Sequence, residues 1–218
     1  MDDKIKEVQS GGSKFKEKML KTIEGYKSLT EEQKNCIHLY FGYGKGKTTA
    51  AMGLAIRALG AGKKVAIVQF DKGYDGVNEH YSERIILRKL AADGYPVKLF
   101  PSGCERMNAD GTFRFGNTVE DRQEAQRALE IVNDLITTGE QNLLILDEVI
   151  AAAAYNLIKR ANVESIIDLF RENQRFELVM TGHKIWKEIE DKVDLITEMK
   201  KVKHYFDAGI PARQGIEF

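Results

Sequence analysis

From residue 36 onward, short unbroken apolar runs alternate with longer stretches whose apolar residues recur every three or four positions. Runs of the first kind cover residues 36–41, 64–70, 97–100, 142–146, 176–182 and 193–199. They read as strands, and a continuous run reads as a strand buried on both faces of a parallel sheet. Stretches of the second kind cover 47–59, closed by Gly60, then 79–92, with Ile86, Leu87 and Leu90 as anchors. A third covers 119–138, where Ala125, Ala128, Leu129, Val132, Leu135 and Ile136 line one stripe. Two more cover 149–159 and 163–172, and a short one is anchored by Trp186 and Ile189. Strands alternating with helices predict an α/β fold, a mostly parallel sheet with helices on both faces.

Two segments stand outside this alternation. Residues 1–35 are highly charged, and Phe15, Met19, Leu20 and Ile23 fall at helical spacing, which predicts a short amphipathic helix over 14–26 behind a flexible break at Gly11, Gly12 and Ser13. Such an arm either packs on its own domain or covers a ligand or a neighbouring subunit. The expected division is therefore a helical arm, 1–35, and one domain, 36–218. Residues 102–118 have little periodicity and three glycines, and they predict a long surface loop carrying Met107, Phe113 and Phe115. The two phenylalanines either tuck beneath the loop or line a site for a large flat ligand.

The chemistry concentrates where the first strand meets the first helix of the domain. Gly42, Tyr43, Gly44, Lys45, Gly46, Lys47, Thr48 and Thr49 form a glycine loop between them. Glycines let backbone N–H groups converge on a phosphate, and the helix start adds partial positive charge. Lys47 is placed to reach the outer phosphates and the Thr48 hydroxyl to ligate Mg²⁺. The general pattern, G-x-x-x-x-G-K-[ST], puts the first glycine at position 41, yet Phe41 stands there and the glycine comes one place late, at Gly42. After the run 142–146 come Asp147 and Glu148, expected to hold Mg²⁺ opposite the loop. An acidic pair there also suits a plain helix start.

Composition narrows the partners. The 33 basic and 33 acidic residues cancel, which argues against general nucleic-acid binding. No apolar run is long enough to span a bilayer, and Met1-Asp2-Asp3-Lys4 lacks the apolar core of a signal peptide. Cys36 and Cys104 make no disulfide framework, as expected of a cytoplasmic protein.

The chain resembles the ATP:corrinoid adenosyltransferases, a P-loop NTPase (RecA-like) family. The resemblance covers roughly residues 37–218. It is carried by the loop from Gly42 to Thr49, by Val68-Gln69-Phe70-Asp71-Lys72-Gly73, by Leu146-Asp147-Glu148 and by Thr181-Gly182. It continues in Val202-Lys203-His204-Tyr205-Phe206-Asp207-Ala208-Gly209 and in Gln214-Gly215-Ile216-Glu217-Phe218. The late glycine is this family's form of the loop. The resemblance implies attack of corrinoid cobalt(I), in cobalamin or cobyrinic acid a,c-diamide, on the ribose C5′ of ATP, with triphosphate leaving. It implies a triphosphate held in reversed direction, and catalysis by Lys47, Thr48 and Glu148, with Asp147 supporting the metal. It further implies an electron donor (a flavoprotein or similar), a homodimer, and an aromatic wedge, here Phe113 and Phe115, that removes the lower axial ligand of cobalt(II). Three positions depart from the family's usual residues: Tyr43, where Asn is common, Phe115, where Trp is common, and His183, where Arg is common. The alternative function is a P-loop ATPase or kinase of another class, which needs a residue that orients water or a hydroxyl.

Overall fold

The computed structural model describes residues 2–73, 79–106, 108, 112 and 114–218, with backbone only over 2–13. The chain divides into two compact units, Met1–Asn35 and Cys36–Phe218.

In the first unit one helix, α1 (Asp2–Lys27), runs straight through Gly11 and Gly12, so the expected break is not there. Each glycine costs a helix about 1 kcal/mol relative to alanine, and the lysines, glutamates and other helix formers around the pair offset it. Phe15, Met19, Leu20, Ile23 and Tyr26 are all exposed within this unit. A short 3₁₀ turn, Glu32–Lys34, follows, where Thr30 and Gln33 exchange side-chain-to-backbone hydrogen bonds of 2.9 and 3.2 Å.

The second unit is built on a six-stranded parallel sheet of order β3-β2-β4-β5-β1-β6. The strands are β1 (Ile37–Phe41), β2 (Val65–Gln69), β3 (Val97–Pro101), β4 (Leu143–Asp147), β5 (Glu177–Gly182) and β6 (Leu195–Glu198). The helices are α2 (Lys47–Gly60), α3 (Ser82–Ala92), α4 (Val119–Thr138), α5 (Val149–Ala154), α6 (Arg160–Glu172) and α7 (Lys187–Glu190). Successive strand residues feed two cores. Val68, Leu144, Leu146 and Met180 pack with α4, α5 and α6, while Ile67, Ile145 and Val179 pack with α2 and α3. This period of two explains why the central strands read as unbroken apolar runs.

Several boundaries differ from the sequence reading. Helix α2 includes Gly60, and the chain turns at Gly62, whose φ is +74°. Helix α5 stops at Ala154, short of 159, because Asn156 takes a left-handed conformation that asparagine tolerates. On α3 Ile86 is exposed, and the fully buried positions are Leu87 and, unexpectedly, Arg84. The short β6 is exposed along its length and forms one edge of the sheet. Among the described residues no helix is long and apolar enough to cross a membrane.

Candidate active site

Parallel strands deliver their carboxyl ends to one side of a sheet, and ligands of open α/β folds bind there. The register does this for the motifs that end β1, β2, β4 and β5. Phe41 pairs with Gly182 and Gln69 with Asp147, so the residues after β1, β2, β4 and β5 gather in one crevice.

The phosphate loop follows β1. Strand pairing persists through Phe41, whose carbonyl accepts from Met199 N–H at 2.7 Å, so the turn cannot begin until Gly42. Gly42 has φ +114°, and a Cβ there would lie 2.5 Å from the Met199 carbonyl oxygen. Both the conformation and the space demand glycine, which accounts for its late position. Gly44 N–H donates to the same Met199 oxygen at 2.6 Å. Gly46, with φ +120°, turns the chain into α2. Lys47 folds back over the loop, and its Nζ donates to the carbonyls of Gly42 (2.8 Å) and Gly44 (3.1 Å). Burial holds its pKa below the ordinary lysine value, with Lys72 adding in the same direction. Lys45 points elsewhere, donating to Tyr205 Oη at 2.9 Å and Glu217 Oε1 at 2.7 Å. The C-terminal motif therefore returns to the loop.

Asp147, fully buried at the end of β4, is the hub of a polar network. It accepts from Thr48 Oγ1 at 3.0 Å, Thr181 Oγ1 at 2.8 Å and Lys72 Nζ at 2.6 Å. Burial works against its charge, yet Lys72 and the two hydroxyls outweigh burial and hold the carboxyl below its ordinary range. Lys72 Nζ also reaches Thr48 Oγ1 at 3.2 Å and lies 5.2 Å from the centre of the Tyr81 ring. Gln69, Arg84 and Lys72 join this network, although no local motif marks a role for them. Arg84 donates to Gln69 Oε1 and to the Lys72 carbonyl, both at 2.6 Å, and so fixes the backbone that carries Lys72.

Glu148 starts α5 with φ +62°, and its N–H donates to Thr181 Oγ1 at 2.8 Å. Burial, reinforced by the charge of Asp147, raises its carboxyl to a pKa of about 6. Among the described residues no group of three or more His, Cys, Asp or Glu forms a metal cage. Mg²⁺ does not need one, since it takes one or two carboxylates together with nucleotide phosphates. A hydroxyl and a buried carboxylate that already share an ammonium ion are chemically suited to such a cation. Tyr43 and His183, two of the three departures, meet each other: their rings stack 5.7 Å apart at 26°. Gly42 N–H donates to the His183 carbonyl at 3.0 Å, and burial, then Lys47, lowers the imidazole pKa.

The loop after β3 is held differently. Arg106 donates to Asp71 Oδ1 (2.7 Å), the Gly116 carbonyl (2.7 Å) and Asn117 (3.1 Å). Arg114 binds both oxygens of Asp121 at 2.8 Å, and Asp121 closes a capping box with Thr118 at the start of α4. The Arg114 guanidinium holds the Asp121 carboxyl far below the usual range. Phe115, next to Arg114, is 88% exposed, so it does not tuck beneath the loop. Phe113 lies outside the described residues.

A glycine loop on β1, an acidic residue ending β4 and a single strand between them define a P-loop NTPase domain of RecA-like strand order. Residues 33–218 match the model of the family described as ATP:corrinoid adenosyltransferase BtuR/CobO/CobP, and the chain belongs to that family. It is thus a transferase that passes the adenosyl group of ATP to a corrinoid. Its relatives include a corrinoid adenosyltransferase of Escherichia coli (strain K12), 28% identical over 199 residues covering 90% of this chain and 92% of that protein. The corrinoid adenosyltransferase CobA of Salmonella typhimurium (strain LT2) is 29% identical over 204 residues, 93% of this chain and 95% of that one. A corrinoid adenosyltransferase of Pseudomonas aeruginosa is 29% identical over 187 residues, 86% and 85%.

Proposed function

We infer that the chain binds MgATP in the Gly42–Thr49 loop so that the cobalt(I) of a reduced corrinoid attacks the ribose C5′. The cobalt electron pair forms the new cobalt–carbon bond, the C5′–oxygen bond breaks, and its electrons leave with inorganic triphosphate. The observation that carries this reading is the loop itself, with Lys47 folded into it and the Thr48–Asp147–Thr181 chain alongside. These are groups that serve a departing anion. The attack removes no proton, so the reaction requires no base.

Lys47, the loop N–H groups and the start of α2 stabilise the developing triphosphate charge. Thr48 and Glu148, supported by Asp147, hold Mg²⁺, which when bound adds positive charge at the phosphate oxygens. Gly42, Tyr43, Gly44, Lys45, Gly46, Thr49 and His183 complete the nucleotide site, and the Tyr43–His183 stack forms an aromatic wall beside Gly42. Phe113 and Phe115 form the apolar wedge against the lower face of cobalt(II), a role supported by the outward position of Phe115. An electron donor, a flavoprotein or similar, then delivers one electron. We assign a homodimer on the strength of the exposed apolar stripe of the arm, Phe15, Met19 and Ile23. A cytoplasmic setting fits Cys36 and Cys104, neither of which forms a disulfide.

The test is product analysis. Wild-type chain with MgATP and chemically reduced corrinoid should yield adenosylcorrinoid and triphosphate in equal amounts. ADP and phosphate without a cobalt–carbon bond would reject the reading in favour of an ordinary P-loop ATPase.

A further inference from the structure

Lys72 stands out among the buried charges because the fold gains little from it. Asp147 already has hydroxyl donors in Thr48 and Thr181, and Gln69 Nε2 lies 3.3 Å from its Oδ2. A buried ion pair contributes little net stability, since desolvating two charges opposes their attraction. The lysine is nonetheless brought in deliberately. Its carbonyl is gripped by the fully buried Arg84, and its N–H donates to the Ser102 carbonyl at 2.8 Å. The ammonium ends 3.2 Å from Thr48 Oγ1, beside the second residue of α2, where helix charge and loop N–H groups attract phosphate. It also borders a cavity of about 250 Å³ whose wall includes Thr48, Thr49, Tyr81 and Glu217. A four-carbon stem lets the ammonium leave Asp147 for this cavity without moving the backbone that Arg84 fixes.

We propose that Lys72 is a second triphosphate-binding cation of the adenosyl-transfer site, held by Asp147 and Thr48 and passed to the polyphosphate when the nucleotide binds. The proposal rests on the triphosphate-leaving reading above. Lys47 approaches the chain of phosphates from the loop and Lys72 from the end of β2. The exchange leaves Thr48 and Asp147 available to the metal at the moment the phosphates arrive.

The experiment separates a direct contact from mere neutralisation of Asp147. Inorganic triphosphate is titrated calorimetrically into the full chain in excess EDTA, using wild type, Asp147→Asn, and the double variant Lys72→Met/Asp147→Asn. Thermal melting of each confirms folding. Asp147→Asn removes the nearest carboxylate from the ammonium, leaving Glu83 Oε1 at 4.0 Å, and should bind triphosphate more tightly than wild type. The double variant should bind roughly tenfold or more weakly than Asp147→Asn, the loss of one charge-assisted contact. Equal affinities of these two folded variants would overturn the proposal, because Asp147 carries no charge in either. If wild type binds no triphosphate even with Mg²⁺ present, the phosphate-cradle reading fails first, and Lys72 with it.

Discussion

The crevice around Asp147 and the loop after β3 are both polar, but they are secured on opposite principles. Around Asp147, itself at the end of β4, the partners come from three further strand ends, and two of them are held in turn: Thr181 by Glu148 N–H and Lys72 by Arg84, while Lys47 nearby is held by the loop carbonyls. The loop is secured at its base by the two arginines Arg106 and Arg114, while Phe115 faces outward. The crevice around Asp147 is thus tied together by its own side chains, whereas the described aromatic of the loop is largely exposed. Preorganised charge suits a leaving group whose position never varies. An exposed apolar ring fits the wedge proposed above, where it would exclude water from a large flat substrate.

Substitutions can break this contrast or sharpen it. The largest effect is expected from Lys47→Ala, which should lower turnover by about 10²–10³-fold with cobalt(I) supplied ready-made, while leaving the melting temperature nearly unchanged. A near-normal rate would end the preorganised reading of the crevice. Next, Arg114→Ala removes both bonds to Asp121, and should release the base of the loop and slow turnover from cobalt(II) by roughly tenfold or more. Turnover from pre-reduced cobalt(I) should stay close to wild type; equal losses in the two assays would make the loop a structural part only. Phe115→Ala should show the same split in a milder form, and, being a surface change, should alter stability by no more than about 0.5 kcal/mol in chemical denaturation.

The smallest effect is a pH dependence. The Asp121 carboxyl lies below its ordinary 3.8 in the folded chain because Arg114 binds it. Its stabilising contribution is therefore complete above that value and is lost as pH falls below it toward the folded pKa. Denaturation midpoints between pH 5 and pH 2 should fall more steeply for wild type than for Asp121→Asn. Parallel curves would show that the arginine clamp contributes nothing.

What could be read from the sequence was whatever is local. Gly42 to Thr49 and Asp147-Glu148 each fit in one short window, and the strands around them are continuous apolar runs. The stripe on α4 is long enough that both of its ends were found, at Val119 and Thr138. Contacts between distant segments were not legible. Lys72 and Arg84 have the composition of surface charges, and only the placement of Lys72 directly after a buried strand hinted otherwise. Arg84 is three residues from Leu87, on the inward face of α3, while the more apolar Ile85 and Ile86 face solvent. Counting apolar anchors therefore chose one wrong side chain on that helix. The Gly11–Gly12 pair misled for a different reason: glycine weakens a helix without forbidding it, and the run of helix formers around it prevailed.

The carbonyl of Met199 has a consequence for how the gene can vary. Exposed sheet edges and the turns beyond them ordinarily absorb extra residues without harm. Here one surface oxygen is the rest on which two glycines of the loop sit, 2.6 Å from the Gly44 nitrogen. Adding or deleting a single residue just past Glu198 would carry that support away from Gly42 and Gly44 together. A stretch that looks like the most expendable part of the domain is thus among those least free to change length.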